Sequence, residues 1–226
     1  MHLLATIPLT QVELRWDREL AGGTQQRTKQ LRGALANAFR GDDLFHQHDL
    51  LTGKTLYRYP RVQYRWRHGR GLVVGWGQAA DRLLNLPWLE LNLLLGETPV
   101  VVSDAALTLN QGQFGVGDQL GHYRLETPVL LFNQENYRRY QAMTPTQQRS
   151  ERERLLVANL LIALRGLDVT FPERLYATLA EPQTCTCHYK GEKLLGLTGE
   201  LTTNAVLPAG FSFGHAVSHG YGWLTL

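Results

Sequence analysis

Two cysteines in 226 residues, Cys185 and Cys187, cannot build the cross-linked scaffold of a small secreted domain, so a reducing cytoplasm is the expected setting. No run approaches the ~18 consecutive apolar residues of a transmembrane helix. The opening Met1-His2-Leu3-Leu4-Ala5-Thr6-Ile7 lacks the basic region and small-residue cleavage site of a signal peptide, and no membrane partner is expected. Lysine is scarce, at 4 of the 23 basic residues, which leaves 19 arginines. Acid is missing altogether between Leu50 and Ala80, where Lys54, Arg58, Arg61, Arg65, Arg67 and Arg70 stand. Between Leu201 and Leu226 there is no charge of either sign.

What remains is an ordinary globular composition. Hydrophobic residues make up 43% of the chain, enough for the core of one large domain or two small ones, and collagenous and disordered classes are excluded. The net charge of +3 says less than its distribution. A planar guanidinium pairs with phosphates and stacks on bases, which lysine cannot do, so a concentrated arginine block points to a polyanionic partner.

Hydrophobic periodicity orders the first half. Leu3 to Leu9 reads as a strand, and after Gly22-Gly23 the residue Thr24 is positioned to cap a helix with apolar positions Leu31, Ala34, Leu35 and Ala38. A polar loop from Gly41 to Gly53 contains His46-Gln47-His48. Two strands, about Thr55–Arg67 and Gly71–Trp76, follow. In the first, Val62, Tyr64 and Trp66 point one way and Arg61, Gln63, Arg65 and Arg67 the other. A short helix near Gln78–Leu84 and a strand near Leu89–Leu94 complete a β-α-β-β-α-β order, the ferredoxin-like unit.

The second half has a similar rhythm. Strands are predicted over Pro99–Leu109 and His122–Phe132, and a polar helix over Asn133–Gln141. A second helix, of Leu155, Leu156, Leu160, Ile162 and Leu164, has Ser150 and Glu153 as its capping box. A hairpin turns at Gly191, and a glycine-rich stretch from Gly210 to Gly222 leads to a last strand, Trp223–Leu226. The predicted fold class is α+β, two tandem ferredoxin-like (βαββαβ) domains. Residues 1–105 carry the His-x-His loop and residues 106–226 the glycine-rich loop.

Three constellations carry chemistry. His46 and His48, with ordinary values near pH ~6.5, can serve as a general base and a general acid together, the two roles needed to cleave RNA through its own 2′-hydroxyl. The same pair also reads as solvated loop histidines, or as half of a zinc site completed from Cys185, Cys187, His188 or His215. The basic strand face of Lys54, Arg58, Arg61, Arg65, Arg67 and Arg70 reads as a phosphate-binding surface or as an ordinary solvated face. Tyr57, Tyr59 and Tyr64 lie between these cations, to stack on bases or to pack in the core. In Ser212 to Gly222, glycines either admit a ligand close to backbone N–H groups or form a turn before the last strand. Cys185 and Cys187, two residues apart, fall on one strand face, and buried or half-exposed thiols are the simpler reading.

In that order the features resemble the b-type branch of the CRISPR repeat-processing endoribonucleases. The resemblance lies in Leu31-Arg32-Gly33, in Asp43-Leu44-Phe45-His46-Gln47-His48 and in Tyr57 through Arg65. It continues in Phe132-Asn133-Gln134-Glu135-Asn136-Tyr137, in Leu194 through Glu200, and in the glycine-rich tail. It implies tandem ferredoxin-like domains that cut a precursor CRISPR RNA once per repeat without metal or cofactor, leaving a 2′,3′-cyclic phosphate and a 5′-hydroxyl. It further implies His46 and His48 as catalytic residues with Tyr57 or Tyr59 beside them, and Gly214, His215, Gly220 and Gly222 as RNA contacts. Ser212 stands where the pattern has its first glycine, which narrows the backbone there. The implied partners are CRISPR repeat RNA, effector-complex subunits and a second copy of the chain. A repeat-binding subunit that does not cut is the alternative.

Overall fold

A computed structural model describes residues 4–45 and 58–226. The chain forms two compact units. One is Ile7–Gln111 with Ser218–Gly220. The other is Gly112–Val217 with Tyr221–Leu226 and the chain up to Thr6. Among the described residues no helix is long and apolar enough to cross a membrane.

The first unit runs β1 (Ala5–Trp16), α1 (Thr24–Ala38), β2 (Val62–Arg67), β3 (Arg70–Trp76), α2 (Gln78–Leu84), β4 (Asn92–Leu95) and the first part of β5 (Thr98–Leu125). The sheet order is β2-β3-β1-β5, the arrangement of a ferredoxin-like unit. The strand completing it is therefore β5, and the predicted strand at Leu89–Leu94 is corrected. That segment supplies only β4, which folds back on β5 in a hairpin, Leu95 opposite Thr98. Gly96, at φ +69°, makes so tight a reversal possible. The hairpin sends Leu93, Leu95, Val100 and Val102 into the core with Leu31 and Leu35 of α1. Helix α1 begins after Gly23, which holds the capping position with an extended backbone and no side-chain bond, so Thr24 is not the cap. Thr28 returns its hydroxyl to the Thr24 carbonyl at 2.9 Å and lies on the buried face with Leu31, Ala34 and Leu35, while Ala38 is exposed. At Gly75 a Cβ would sit 2.6 Å from the Ala79 carbonyl, so α2 lies against β3 only because that position is bare.

The second unit takes the rest of β5, then α3 (Gln134–Gln141), α4 (Pro145–Gly166), β6 (Ala177–Tyr189), β7 (Glu192–Val206) and β8 (Leu224–Thr225). β5 is flanked by β7 and β8, and β6 pairs with β7. This is the second ferredoxin-like unit, but the helix that should precede its last strand is missing. A link from Leu207 to Trp223, with one 3-10 turn at Val217–His219, replaces it.

The two strands predicted at Pro99–Leu109 and His122–Phe132 are one. The glycines between them produce a register shift from Val116 to Gly121 instead of a turn. Past Leu125 only an isolated bridge, Val129 to Leu197, continues the pairing. Helix α4 starts earlier than predicted, because Thr144-Pro145-Thr146-Gln147 repeats the capping signal upstream. The Thr144 side chain accepts from the Gln147 N–H, the Gln147 side chain accepts from the Thr144 N–H, and Pro145 fixes the first turn. Arg149 with Glu153 at 3.1 Å and Arg154 with Glu151 at 2.6 Å then carry the helix through its polar opening. The β6–β7 hairpin turns through Lys190 (φ +50°) and Gly191 (φ +84°), a two-residue turn whose twist matches the strands.

Candidate nucleic-acid interface

His46, His48, Lys54 and Tyr57 lie outside the described residues, which resume at Arg58. The chain on either side of that segment is firmly held. Phe45 is buried against Phe39, ring centroids 4.9 Å apart, and Phe39 meets Trp88 edge-on at 5.9 Å. Asp42 accepts from the Leu44 N–H at 3.1 Å and from the Arg82 guanidinium, which fixes the turn before Phe45. On the far side Tyr59 is buried, and its hydroxyl accepts from Gln63 Nε2 at 2.9 Å. Arg58 joins the two sides, donating through Nη2 to the Asp43 carbonyl at 3.1 Å with the Asp43 carboxylate 3.9 Å away.

The arginines of β2 and its flanks do not form one solvated face. Arg67 is exposed, Arg61 is half-buried, and Arg70 is paired with Glu13 at 2.6 Å. Arg65 is 2% exposed and its neighbour on the same face, Gln63, is fully buried. Burial lowers the Arg65 guanidinium from its ordinary range to about 9, with Tyr59 acting in the opposite direction, so it keeps its charge at neutral pH. Tyr64 packs on the opposite face, in the core with Leu31 and Leu35, and burial pushes its hydroxyl upward. It is core and not a stacking platform.

The glycine-rich stretch also differs from its expectation. Several of its N–H groups, and one just after it, are consumed at home: Phe213 donates to the Gly222 carbonyl at 3.1 Å, Gly222 to Pro128 at 2.9 Å, His215 to Leu130 at 2.8 Å and, beyond the stretch, Leu224 to Phe211 at 2.9 Å. These groups are not aimed at a ligand. Gly214 (φ +95°) and Gly222 (φ +67°) are glycine because a Cβ would strike the Leu130 carbonyl, at 2.9 Å, and the Phe213 carbonyl respectively. Ser212 is buried and bridged to Trp223. Gly220 fits beside α1 and β2, where a Cβ would lie 3.0 Å from Thr28 Cγ2 and 3.2 Å from the Tyr64 carbonyl. Gln25 Nε2 donates to the neighbouring His219 carbonyl at 3.1 Å. His215 stays exposed as a residue, yet packing around its ring lowers its value below the ordinary 6.5, partly offset by the Leu131 backbone, so it is neutral at pH 7.

Cys185 and Cys187 share one face of β6, as their spacing requires, with sulfurs 3.8 Å apart. Burial, and then the adjacent Cys185, push the Cys187 thiol up to about 12. Among the described residues no three metal-binding side chains come together. Sequence reasoning passed over the arginines of the second unit, Arg165 and Arg174. They are separated along the chain, and only the return of β6 beside α4 brings them to one place.

Residues 5–113 match the family described as the Cas6b N-terminal domain, and residues 115–226 match the Cas6b C-terminal domain. An uncharacterized protein of Methanocaldococcus jannaschii is 34% identical over 133 residues, covering 59% of this chain and 89% of that one. A crystal structure of a Cas6b superposes with a TM-score of 0.87 at 20% identity, covering 98% of this chain and 99% of the other. A second, of a CRISPR RNA processing endoribonuclease Cas6b, gives 0.72 at 20% identity, covering 96% and 98%.

Proposed function

The chain belongs to the Cas6b family, and from that premise we propose that it is a metal-independent endoribonuclease that cuts precursor CRISPR RNA within its repeats. One observation carries the reading. The chain entering the His46–Tyr57 segment and the chain leaving it are tied together by Arg58 and Asp43 and anchored by Phe45 and Tyr59, at the start of an arginine-bearing strand. In this reading the segment that carries the two imidazoles is held at both of its ends.

In this mechanism one of His46 and His48 takes the proton of the ribose 2′-hydroxyl. The 2′-oxygen forms a bond to phosphorus as the bond from phosphorus to the 5′-oxygen breaks, and the other imidazolium gives its proton to that leaving oxygen. The products are a 2′,3′-cyclic phosphate and a 5′-hydroxyl, and no electron donor or acceptor is needed. Tyr57, nine residues after His48 in the chain, helps hold the phosphate. Arg61 and Arg67 bind the RNA backbone, joined by Lys54 and Arg58. Arg65 acts from beneath the strand: a guanidinium withdrawn from water exerts a less screened field on charge building at the phosphate. Gly214 and His215 offer the RNA a neutral surface and supply little charge to it, whereas Gly220 and Gly222 are buried and shape the backbone only.

The test is incubation with end-labelled repeat RNA and analysis of the product ends. Cutting that persists in EDTA, leaves a cyclic phosphate and disappears when the ribose at the cut site is 2′-deoxy supports the reading. Cutting that needs a divalent ion, or that survives the 2′-deoxy change, overturns it. Tight binding without any cutting makes the chain a repeat-holding subunit.

A further inference from the structure

In the second unit α4, the chain after it and β6 leave a concave site of about 730 Å³. Its floor is apolar, with Val157, Leu161 and Phe171, and Arg165, Arg174 and Tyr176 stand around it. Tyr176 is 54% exposed, so its ring is accessible to a ligand. Its backbone is nonetheless locked. The Tyr176 N–H donates to Asn204 Oδ1 at 2.8 Å, its carbonyl accepts from Thr203 Oγ1 at 2.6 Å, and Asn204 Nδ2 donates to the Arg174 carbonyl at 2.9 Å. Three side-chain bonds from β7 thus fix the backbone that carries an exposed aromatic and an exposed arginine, and the Arg174 guanidinium lies over one face of the ring, 5.3 Å from its centre.

The charges sort in the same direction. Arg154, at the margin, is engaged by Glu151 through two bonds of 2.7 and 2.6 Å, and Glu153 is taken by Arg149 and by the Thr178 hydroxyl, each at 3.1 Å. Among the described residues Arg165 and Arg174 have no carboxylate within ion-pair distance, and Glu173 is the one remaining acid at the site. An apolar hollow with an exposed aromatic ring, an arginine over one of its faces, and two guanidiniums unmatched by carboxylates has the chemistry that holds a nucleotide of a single strand. The ring stacks a base and the cations take a phosphate.

We propose that this hollow is a second RNA subsite, in which one unpaired nucleotide of the repeat RNA stacks on Tyr176 and lays its phosphate between Arg165 and Arg174. It rests on the reading of the chain as a repeat-RNA processor and adds a contact apart from the His46–Tyr57 segment and β2.

The test measures affinity for labelled repeat RNA over a range of salt, with sedimentation to follow the mass of the protein. Tyr176→Ala weakens binding about tenfold. Tyr176→Phe restores it, since stacking needs the ring and not the hydroxyl. Arg165→Ala with Arg174→Ala weakens binding and flattens the salt dependence by roughly one unit of slope. Wild-type protein that fails to bind repeat RNA overturns this proposal and the functional reading together. Wild type that binds and cuts, with variants of unchanged affinity, overturns this proposal alone. So does Tyr176→Phe behaving like Tyr176→Ala, or a variant whose sedimenting mass falls while its RNA affinity holds, which would make the hollow a protein contact.

Discussion

Arg58 Nη2 donates to the carbonyl of Asp43 at 3.1 Å, so a residue just past the histidine-bearing segment is bonded to one just before it. Removing that tie should cost catalysis more than stability, because an exposed arginine contributes little to folding while catalytic alignment is sensitive to small displacements. Arg58→Ala is expected to lower the single-turnover cutting rate about tenfold. Its urea midpoint should stay close to that of the wild type. A midpoint that falls with the rate would make Arg58 a stability residue.

His46→Ala and His48→Ala, separately, should reduce the cutting rate by about a hundredfold or more with repeat-RNA affinity nearly kept, as for loss of a general acid or base. Rate measurements at saturating RNA make the separation. If the double variant cuts normally, neither imidazole moves the proton.

Arg65 offers a sharper contrast. A buried cation gives the fold little and sometimes costs it stability, so Arg65→Met is expected to leave unfolding unchanged or raise the midpoint. If its field acts on the phosphate, cutting falls about a hundredfold at the same time. Normal cutting by a stable Arg65→Met protein would remove Arg65 from the mechanism.

Gly222→Ala meets two obstacles, a φ of +67° and the Phe213 carbonyl where its Cβ must go. A loss of about 2 kcal/mol or more is expected in urea unfolding. Gly191→Ala, at φ +84° but with open space around it, should cost less. Equal losses would show that the conformation matters and the crowding does not.

The alkaline limit follows from Cys187 and Tyr221, both pushed up to about 12 chiefly by burial. In the unfolded chain these groups ionise near 9 and 10, so their protons are bound more tightly in the folded state. Their contribution is complete below about pH 9 and is lost as the pH climbs toward 12. Across pH 8, 9.5 and 10.5 the unfolding midpoint of the wild type should lose ground to that of Cys187→Ala. Arg65, lowered to about 9, pulls the other way in both proteins and cancels in the comparison.

Local chemistry made much of this fold legible. Helix α2 occupies the residues its periodicity marks, and the Gly191 turn closes where the spacing places it. The misreadings share one cause: glycine and threonine carry the same signals for several outcomes. The glycines after Gln111 bend a continuous strand, whereas Gly96 reverses one, and only the pairing partners decide between them. Thr144 outcompetes Ser150 as a cap because Pro145 follows it. The β2 alternation places Arg65 correctly on a face but says nothing of what covers that face, so its burial was invisible. Arg165, Arg174 and Tyr176 converge only through the return of β6, which no local pattern encodes.

The compact unit built from Ile7–Gln111 is finished by Ser218–Gly220, which lies against Thr28 and the Tyr64 carbonyl. A ribosome makes Ile7–Gln111 in full well before it reaches Ser218. During synthesis that unit must therefore stand with a patch of α1 and β2 uncovered, and it acquires its last three residues only after all of Gly112–Val217 has been made.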